Sequence, residues 1–289
     1  MTEGPSIVVV GSVNLDVVAS VENLPIAGET VTGARLNKFP GGKGANQALA
    51  AKRLGADVFL VARVGNDANA EEALALLLAG EVDLSACDQD ESAPTGIALI
   101  TVSSSGENQI VVAPGANREL RADMIALPDA DAMICQLEVP VETLDHVAVS
   151  FDGFMCINLA PALDVPDGLI SRADLIVVNE TEAQFYGGKL QACAGLLATT
   201  FGANGAVLTK AGKEVARSKP PAIKAVDTTA AGDTFTAALT VAILEGMEPQ
   251  AALDFACAAG AATATKAGAQ PSLPSRAEVD ALLSEHSRG

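Results

Sequence analysis

Residues 225–244 read AVDTTAAGDTFTAALTVAIL. A short apolar approach leads to Asp227-Thr228-Thr229, then to Ala230, Ala231 and Gly232, and then to Asp233 at the head of a long amphipathic run. Small residues ahead of a helix let backbone N–H groups come close to an anion, and the helix N-terminus adds positive partial charge. Asp233 would stand beside that anion hole. A carboxylate there opposes phosphate binding, but it serves if its task is to take a proton from an attacking hydroxyl. An N-cap that satisfies orphan N–H groups is the plainer alternative, and this stretch alone does not displace it.

Working back from that helix, strands and helices alternate. Residues 222–226, 214–218 and 206–209 read as short strands, and 190–201 and 180–186 as helices. Further back come strands at 175–178 (ending at Asn179) and 155–159, a helix at 141–149 and a strand at 132–136. Downstream, 249–266 and 275–284 read as helices. Alternating βα units predict an α/β fold with a mostly parallel sheet and helices on both faces. Residues 7–10, β-branched and ending at Gly11, read as its buried first strand, followed by a helix over 39–54, a strand at 58–64 and a helix at 69–78. Residues 13–21 and 29–37 mix polar with apolar positions, and 96–102 and 108–113 form a hairpin across Ser-Ser-Ser-Gly-Glu. These polar-faced strands, about 12–38 and 96–114, read as one small sheet forming a lid on a single domain over 1–289.

Composition narrows the function. The chain has 289 residues, 49% of them hydrophobic, and carries 18 basic against 36 acidic side chains, a net charge of −18. Such a field repels nucleic acid and anionic membranes, no basic cluster offsets it, and the lack of Trp with a single Tyr argues against base stacking. Five cysteines, an odd number with no C-x-x-C pair, read as reduced thiols in a cytoplasmic protein. No apolar run reaches membrane-spanning length, and no secretory leader precedes the first strand.

The second informative stretch is Gly41-Gly42-Lys43-Gly44-Ala45-Asn46. Its glycines permit close backbone approach to a small polar ligand, and Asn46 offers a hydroxyl both a donor and an acceptor. It is not a P-loop, since no G-x-x-x-x-G-K-[ST] occurs, and a helix-opening turn would look much the same. Asn14 and Asp16, two residues apart after the first strand, point to one side, where they could grip vicinal hydroxyls or simply serve a turn.

GSVNLD at 11–16, GETVTG at 28–33, PGGKGANQA at 40–48, NETE at 179–182 and DTTAAGDTF at 227–235 stand in the order of the PfkB sugar-kinase family, which the chain resembles from residue 7 to about 283. Within that family the resemblance is to the ribokinase branch. It implies a three-layer α/β sandwich with a central, mostly parallel sheet and a small β-sheet lid. It also implies ATP-dependent phosphorylation of the 5-hydroxyl of D-ribose with Mg²⁺, activation by K⁺, and a homodimer joined through the lid, where an exposed edge strand supplies a physical reason.

Residue by residue, the resemblance makes Asp233 the general base and the amides of Ala230, Ala231, Gly232 and Asp233 the anion hole. It assigns Asn14, Asp16, Gly42, Lys43, Asn46 and Glu138 to the sugar. Asn179 and Glu182 match an N-x-x-E linked to phosphate and Mg²⁺, although the same pattern is a capping box and both readings can hold at once. Thr209, Gly212, Gly232 and Cys257 fall on the nucleotide side; after the strand ending at Thr209 the chain reads Lys210-Ala211-Gly212-Lys213-Glu214, departing from the family's loop around Gly212. Cys257 stands where relatives carry a polar residue near the base. Asp227, Thr229, Thr263, Lys266, Gly268 and Ser272 match the loops around the monovalent cation. The rivals are the same chemistry on fructose, deoxyribose, a nucleoside or a keto-deoxy sugar acid, and an inactive sugar-binding protein on this scaffold. A Rossmann oxidoreductase is disfavoured, because no G-x-G-x-x-G follows the first strand.

Overall fold

Strand β1 (Ser6–Val10) carries consecutive fully buried aliphatic residues and lies between two parallel neighbours, β4 (Asp57–Gly65) and β8 (Ala132–Gln136). Ile7 and Val9 enter one hydrophobic core and Val8 and Val10 the other, as the two-residue period of a strand dictates. Both sheet faces must therefore be covered. The computed structural model, which describes residues 4–286, shows how; the outermost residues of the expected 1–289 domain lie outside the described residues.

Helices α1 (Lys43–Arg53), α2 (Ala68–Ala79), α6 (Ala231–Leu244), α7 (Pro249–Thr263) and α8 (Arg276–His286) cover one face. The other is covered by α3 (Val141–Ser150), α4 (Asp167–Arg172) and α5 (Glu180–Tyr186). The sheet adds β5 (Cys87–Asp90), β9 (Phe154–Asn158), β10 (Leu175–Asn179), β11 (Leu196–Thr200), β12 (Ala206–Lys210) and β13 (Lys213–Ser218), in the order β13-β12-β11-β10-β9-β8-β1-β4-β5. From β5 to β11 neighbouring strands run parallel; β12 and β13 then add two antiparallel pairings at one edge. Chain order reverses direction between β1 and β8, which opens a crevice at the carboxyl ends of those strands.

A second sheet, β3-β2-β6-β7, joins β2 (Asn14–Ser20), β3 (Arg35–Gly41), β6 (Gly96–Val102) and β7 (Asn108–Ala113). Its β6 and β7 hairpin falls where the sequence places it. The strand expected at 29–37 instead begins at Arg35 and runs to Gly41, because all seven residues of β2 find partners there. Gly28 and Gly33, both at φ 85°, turn the chain before it.

Three further expectations give way. Residues 190–201, helical by propensity, contain β11, because parallel pairing with β10 and antiparallel pairing with β12 claim its backbone on both sides. The strand expected at 222–226 is unpaired chain; Val226 donates its N–H to the Ala264 carbonyl at 2.8 Å instead. Helix α6 is not amphipathic: from Asp233 to Ala242 every residue is buried. Its buried Thr234, Thr236 and Thr240 hydroxyls donate to carbonyls one turn back, at 2.9, 2.9 and 2.8 Å, so the helix can be enclosed without orphaning them. The polar edge strand β5 and the short helix α4 carry no periodic signal, and α7 stops at Thr263 rather than 266.

Candidate active site

Four parallel strands of the large sheet end on polar residues: Gln136 on β8, Asn158 on β9, Asn179 on β10 and Thr200 on β11. Apolar strands that finish this way deliver side chains to the crevice where open α/β sheets bind ligands. There a cleft of ≈ 220 Å³ is lined by Lys43, Asn158, Asn179, Glu182, Thr200 and Asp233, together with the turn that starts α6.

Asp233 lies at the floor of the cleft in the first turn of α6. Its Oδ2 accepts from Asn46 Nδ2 at 2.9 Å and its Oδ1 from Gln47 Nε2 at 2.9 Å. Burial pushes its carboxyl up, with Glu138 adding to the effect, while Lys43 and the two amide donors pull the other way. A carboxylate so enclosed, yet open to the cleft, is equipped to take a proton from a bound hydroxyl.

The expected sugar ligands surround it. Glu138 Oε2 accepts from Ser12 Oγ at 2.5 Å and from the Lys43 N–H at 3.2 Å. Asn14 Oδ1 accepts from Asn117 Nδ2 at 2.8 Å, and Asn117 is pinned at both ends by the Val13 backbone. Asp16 is buried beside Gly41, where a Cβ would stand 2.3 Å from its Oδ2. Burial first, then Glu138 and Asp233, push Asp16 up to about 7, against the pull of Lys43. Gly42 precedes α1 at φ 90°, which admits the chain to the helix at Lys43. Burial draws Lys43 down, but Asp233, Glu138, Glu182 and Asp16 outweigh it and hold the ammonium above its ordinary value.

The opening of α6 has no side-chain cap, and Ala230 before it adopts the left-handed conformation at φ 61°. Uncapped amides of this kind form an anion site. Ala231, expected among them, instead donates its N–H to the Thr228 carbonyl at 3.2 Å, because the turn closes on itself. Asn179 and Glu182 form a complete capping box, with bonds of 2.7 and 2.9 Å, while both line the cleft. Burial pushes Glu182 up, with Asp233 adding, against the Asn179 N–H and Lys43. Their oxygens suit a hard divalent cation.

Among the expected cation residues, Asp227, Thr229 and Gly268 form one knot. Asp227 Oδ1 accepts from the Thr229 N–H and hydroxyl at 2.9 and 2.6 Å, and Oδ2 from the Gly268 N–H at 2.8 Å. Burial opposes them, but these donors hold the Asp227 carboxyl below its usual range. Thr263 is fully buried and ties α7 to α6 through Thr234 Oγ1 at 2.8 Å. Ser272 bonds to the Ala269 carbonyl, and the Lys266 ammonium turns away to Glu278 at 2.7 Å.

Thr209 and Gly212 do not join the site. Because β12 runs antiparallel to β11, Ala206 pairs with Thr200 at the cleft while Thr209 pairs with Leu197. That places Thr209 about 10 Å down the strand, and Gly212 beyond it at the other end of the sheet. The glycine-containing loop at the cleft is instead the one after β11, where Gly202 and Gly205 take φ 54° and 94°. Reading 190–201 as helix hides that loop, since it leaves no strand for the loop to follow. Cys257 is buried in α7 beside Ser218, whose strand partner Ala206 stands at the cleft end of β12; burial pushes its thiol up to about 11, opposed by a hydrogen bond with Ser218.

Sequence reasoning also misses Ser12, Gln47, Asn117, Asn158 and Thr200. For Asn158 and Thr200 a signal exists, a polar residue closing an apolar strand. Gln47 looks like any polar helix position until α1 is packed against α6.

A three-layer α/β body with a β-sheet cover, and a buried carboxylate at an uncapped helix end, define a kinase of small hydroxyl compounds. The chain belongs to the pfkB family of carbohydrate kinases, whose model matches residues 5–276. It is 38% identical over 293 residues to a ribokinase of Bacillus subtilis, covering 96% of this chain and 99% of that one. It is 36% identical over 304 residues to a ribokinase of Haemophilus influenzae, covering 97% and 99%. Among solved structures, a ribokinase of Thermotoga maritima superposes with a TM-score of 0.88 at 34% identity, covering 97% of this chain and 99% of that chain. A ribokinase of Arabidopsis thaliana complexed with ribose and ATP superposes with a TM-score of 0.86 at 30% identity and the same coverage.

Proposed function

We propose that this chain is an ATP-dependent kinase that phosphorylates D-ribose at O5 to give ribose 5-phosphate. The observation that carries the reading is Asp233, buried at the floor of the cleft at an uncapped helix start, with an amide donor on each carboxylate oxygen. In this reading Asn14, Asp16, Gly42, Lys43, Asn46 and Glu138 hold the sugar. Asp233 takes the proton from its primary hydroxyl as that oxygen attacks the γ-phosphorus and the bond to ADP breaks. The amides of Gly232 and Asp233 at the start of α6, with the turn at Ala230, face the charge that develops on the transferred group. The loop after β11, with Thr200 and Gly202, meets the nucleotide in place of Thr209 and Gly212, with Cys257 on the same side.

Asn179 and Glu182 would hold Mg²⁺ on the nucleotide side, and Asp227, Thr229 and Gly268, with the backbone near Thr263, Lys266 and Ser272, would hold K⁺. When bound, these ions supply neutralisation of phosphate charge and order in the loop at the head of α6. A sugar acid would want a free positive partner, and the obvious candidate, Lys43, already answers four carboxyl groups. The whole chain is taken as one kinase domain whose lid is the small sheet. A homodimer through that lid is supported by β7, whose six residues are all exposed, Ile110, Val111 and Val112 among them. A cytoplasmic location fits five free cysteines and the lack, among the described residues, of a helix long and apolar enough to cross a membrane.

A coupled assay of ADP release over pentoses, hexoses and nucleosides tests the assignment. D-ribose should show the highest kcat/KM; a higher value for any other acceptor would replace it.

A further inference from the structure

The base is held by a chain of side-chain amides whose orientations follow one from the next, from Asn158 to Gln47 and on to Gln136, whose own Oε1 has no hydrogen-bond partner. Asn158 Nδ2 donates to the Val177 backbone carbonyl at 3.1 Å, so its Oδ1 must face the opposite way. There it accepts from Gln47 Nε2 at 3.2 Å, and the same nitrogen donates to Asp233 Oδ1 at 2.9 Å. Gln47 Oε1, left on the far side, accepts from Gln136 Nε2 at 2.6 Å. Turning the Gln47 amide over would set its oxygen against a carboxylate and a second carbonyl oxygen. A backbone carbonyl thus fixes the amide orientations through to the carboxylate.

We propose that Gln47 is the positioning residue of the base, fixing Asp233 Oδ1 through Asn158 and Gln136 so that Oδ2 is the oxygen that receives the sugar proton. This rests on the reading of Asp233 as the base. The members of the chain come from α1, β8, β9 and α6, and Gln47 and Gln136 are fully buried, so the arrangement is locked into the core rather than laid on a surface. Oδ2 is held differently. It accepts from Asn46 Nδ2 alone, and Asn46 Oδ1 has no hydrogen-bond partner, as befits a side chain that exchanges its contact when a hydroxyl arrives. Donation to Oδ1 also favours the ionised base against its burial. The charged groups that face Asp233 are Lys43 from α1, Glu138 after β8, Glu182 from α5 and Asp16 from β2. None of them reaches Oδ1, so that oxygen depends on Gln47.

The experiment is steady-state kinetics against pH for the full chain and its Gln47→Met, Gln136→Met and Asp233→Asn variants, with circular dichroism and thermal melting of each. Gln47→Met should lower kcat by about 10–10²-fold, the cost of a loosened reacting group. KM for ribose should stay within about threefold, since no sugar contact is removed. The acidic limb of kcat/KM should move to higher pH, because the carboxylate loses a donor. Gln136→Met should move it the same way by less. A lower kcat with an unmoved limb would mean a merely structural role, and a wild-type kcat and limb in Gln47→Met beside an inactive Asp233→Asn would likewise overturn the proposal. An active Asp233→Asn would instead overturn the assignment of the base. Should Gln47→Met fail to fold, an unmoved acidic limb in Gln136→Met overturns the proposal on its own.

Discussion

The two halves of the cleft are built on opposite plans. Around the proposed sugar position Asn14, Asp16, Asn46 and Asp233 are all buried, and hydrogen bonds bind Asn14, Asn46 and Asp233 to residues of other elements. Around the proposed nucleotide position the walls would be the 227–229 turn with its exposed Thr228 and Thr229, an uncapped helix end and a loop with two left-handed glycines. A sugar brings no charge, so it must be met by preformed polar groups whose desolvation the fold has already sustained. A triphosphate brings charge, and backbone amides can meet it from loops at little cost in buried polar groups.

Asp233→Asn should break the sugar side most. It keeps the shape and removes the proton acceptor, so kcat should fall by about 10²–10⁴-fold while ribose affinity, read by calorimetry, changes little. Near-normal turnover in a folded variant would sink the assignment.

Asp16 tests whether that half is function kept at the expense of stability. Ribose should be favoured over 2-deoxyribose by roughly 1–3 kcal/mol in kcat/KM, the usual penalty of an unpaired buried acceptor, and Asp16→Ala should shrink the gap. Asp16 has its carboxyl raised from 3.8 to about 7 in the fold, so the stability it contributes is present below pH 4 and is lost as pH rises through 7. Asp16→Asn should therefore raise Tm at pH 8 and not at pH 4, by ~2–4 °C per kcal/mol recovered. Equal Tm gains at both pH values would contradict the raised carboxyl.

The nucleotide side should yield to ions more than to single side chains. At fixed ionic strength and saturating Mg²⁺, activity should rise saturably with K⁺, Na⁺ should be a poorer substitute, and Asp227→Ala, which unties Thr229 and Gly268, should remove the response. A rate indifferent to K⁺ would show that the loop keeps its shape unaided. The smallest effect separates two loops: Gly202→Ala, at φ 54°, should raise KM for ATP, whereas Thr209→Val should leave it unchanged. A matching rise in both would return the nucleotide loop to the β12 end.

This contrast also explains what could be read without a structure. The bounds of β6, β7, β8 and α5 are legible to the residue, because alternation, a Gly-bearing hairpin and a capping box are local signals. The residues that the resemblance assigns to the sugar are the more legible, because they are side chains with identities, from Asn14 to Asp233. The nucleotide side is poorly legible because its instruments are amides, which every residue but proline possesses. Residues 190–201 mislead for another reason: an alanine- and leucine-bearing segment turns to strand once two neighbouring strands claim its backbone. Gln47 is invisible for the same cause, since its meaning depends on packing between α1 and α6.

The small sheet leaves the body and returns to it through joints of very few residues: β1 ends at Val10 and β2 begins at Asn14, while β3 ends at Gly41 and α1 begins at Lys43. At these joints the backbones of Gly11 and Gly44 touch; a Cβ on Gly44 would stand 2.5 Å from Gly11 C, and one on Gly11 2.7 Å from Gly44 Cα. Were the sheet to turn about these joints, against the packing of β2 and β3 on α2 and the Lys38–Glu72 ion pair, it would act as a lever with its fulcrum beside the cleft. A seven-residue strand reaches about 23 Å from that fulcrum, so a turn of about 10° would swing the far tip of the sheet by ~4 Å. Asn14, next to the fulcrum, would move by less than about 1 Å over the same arc. Whatever gripped the distant rim of the sheet would thus have mechanical advantage over access to the cleft while leaving Asn14 nearly in place.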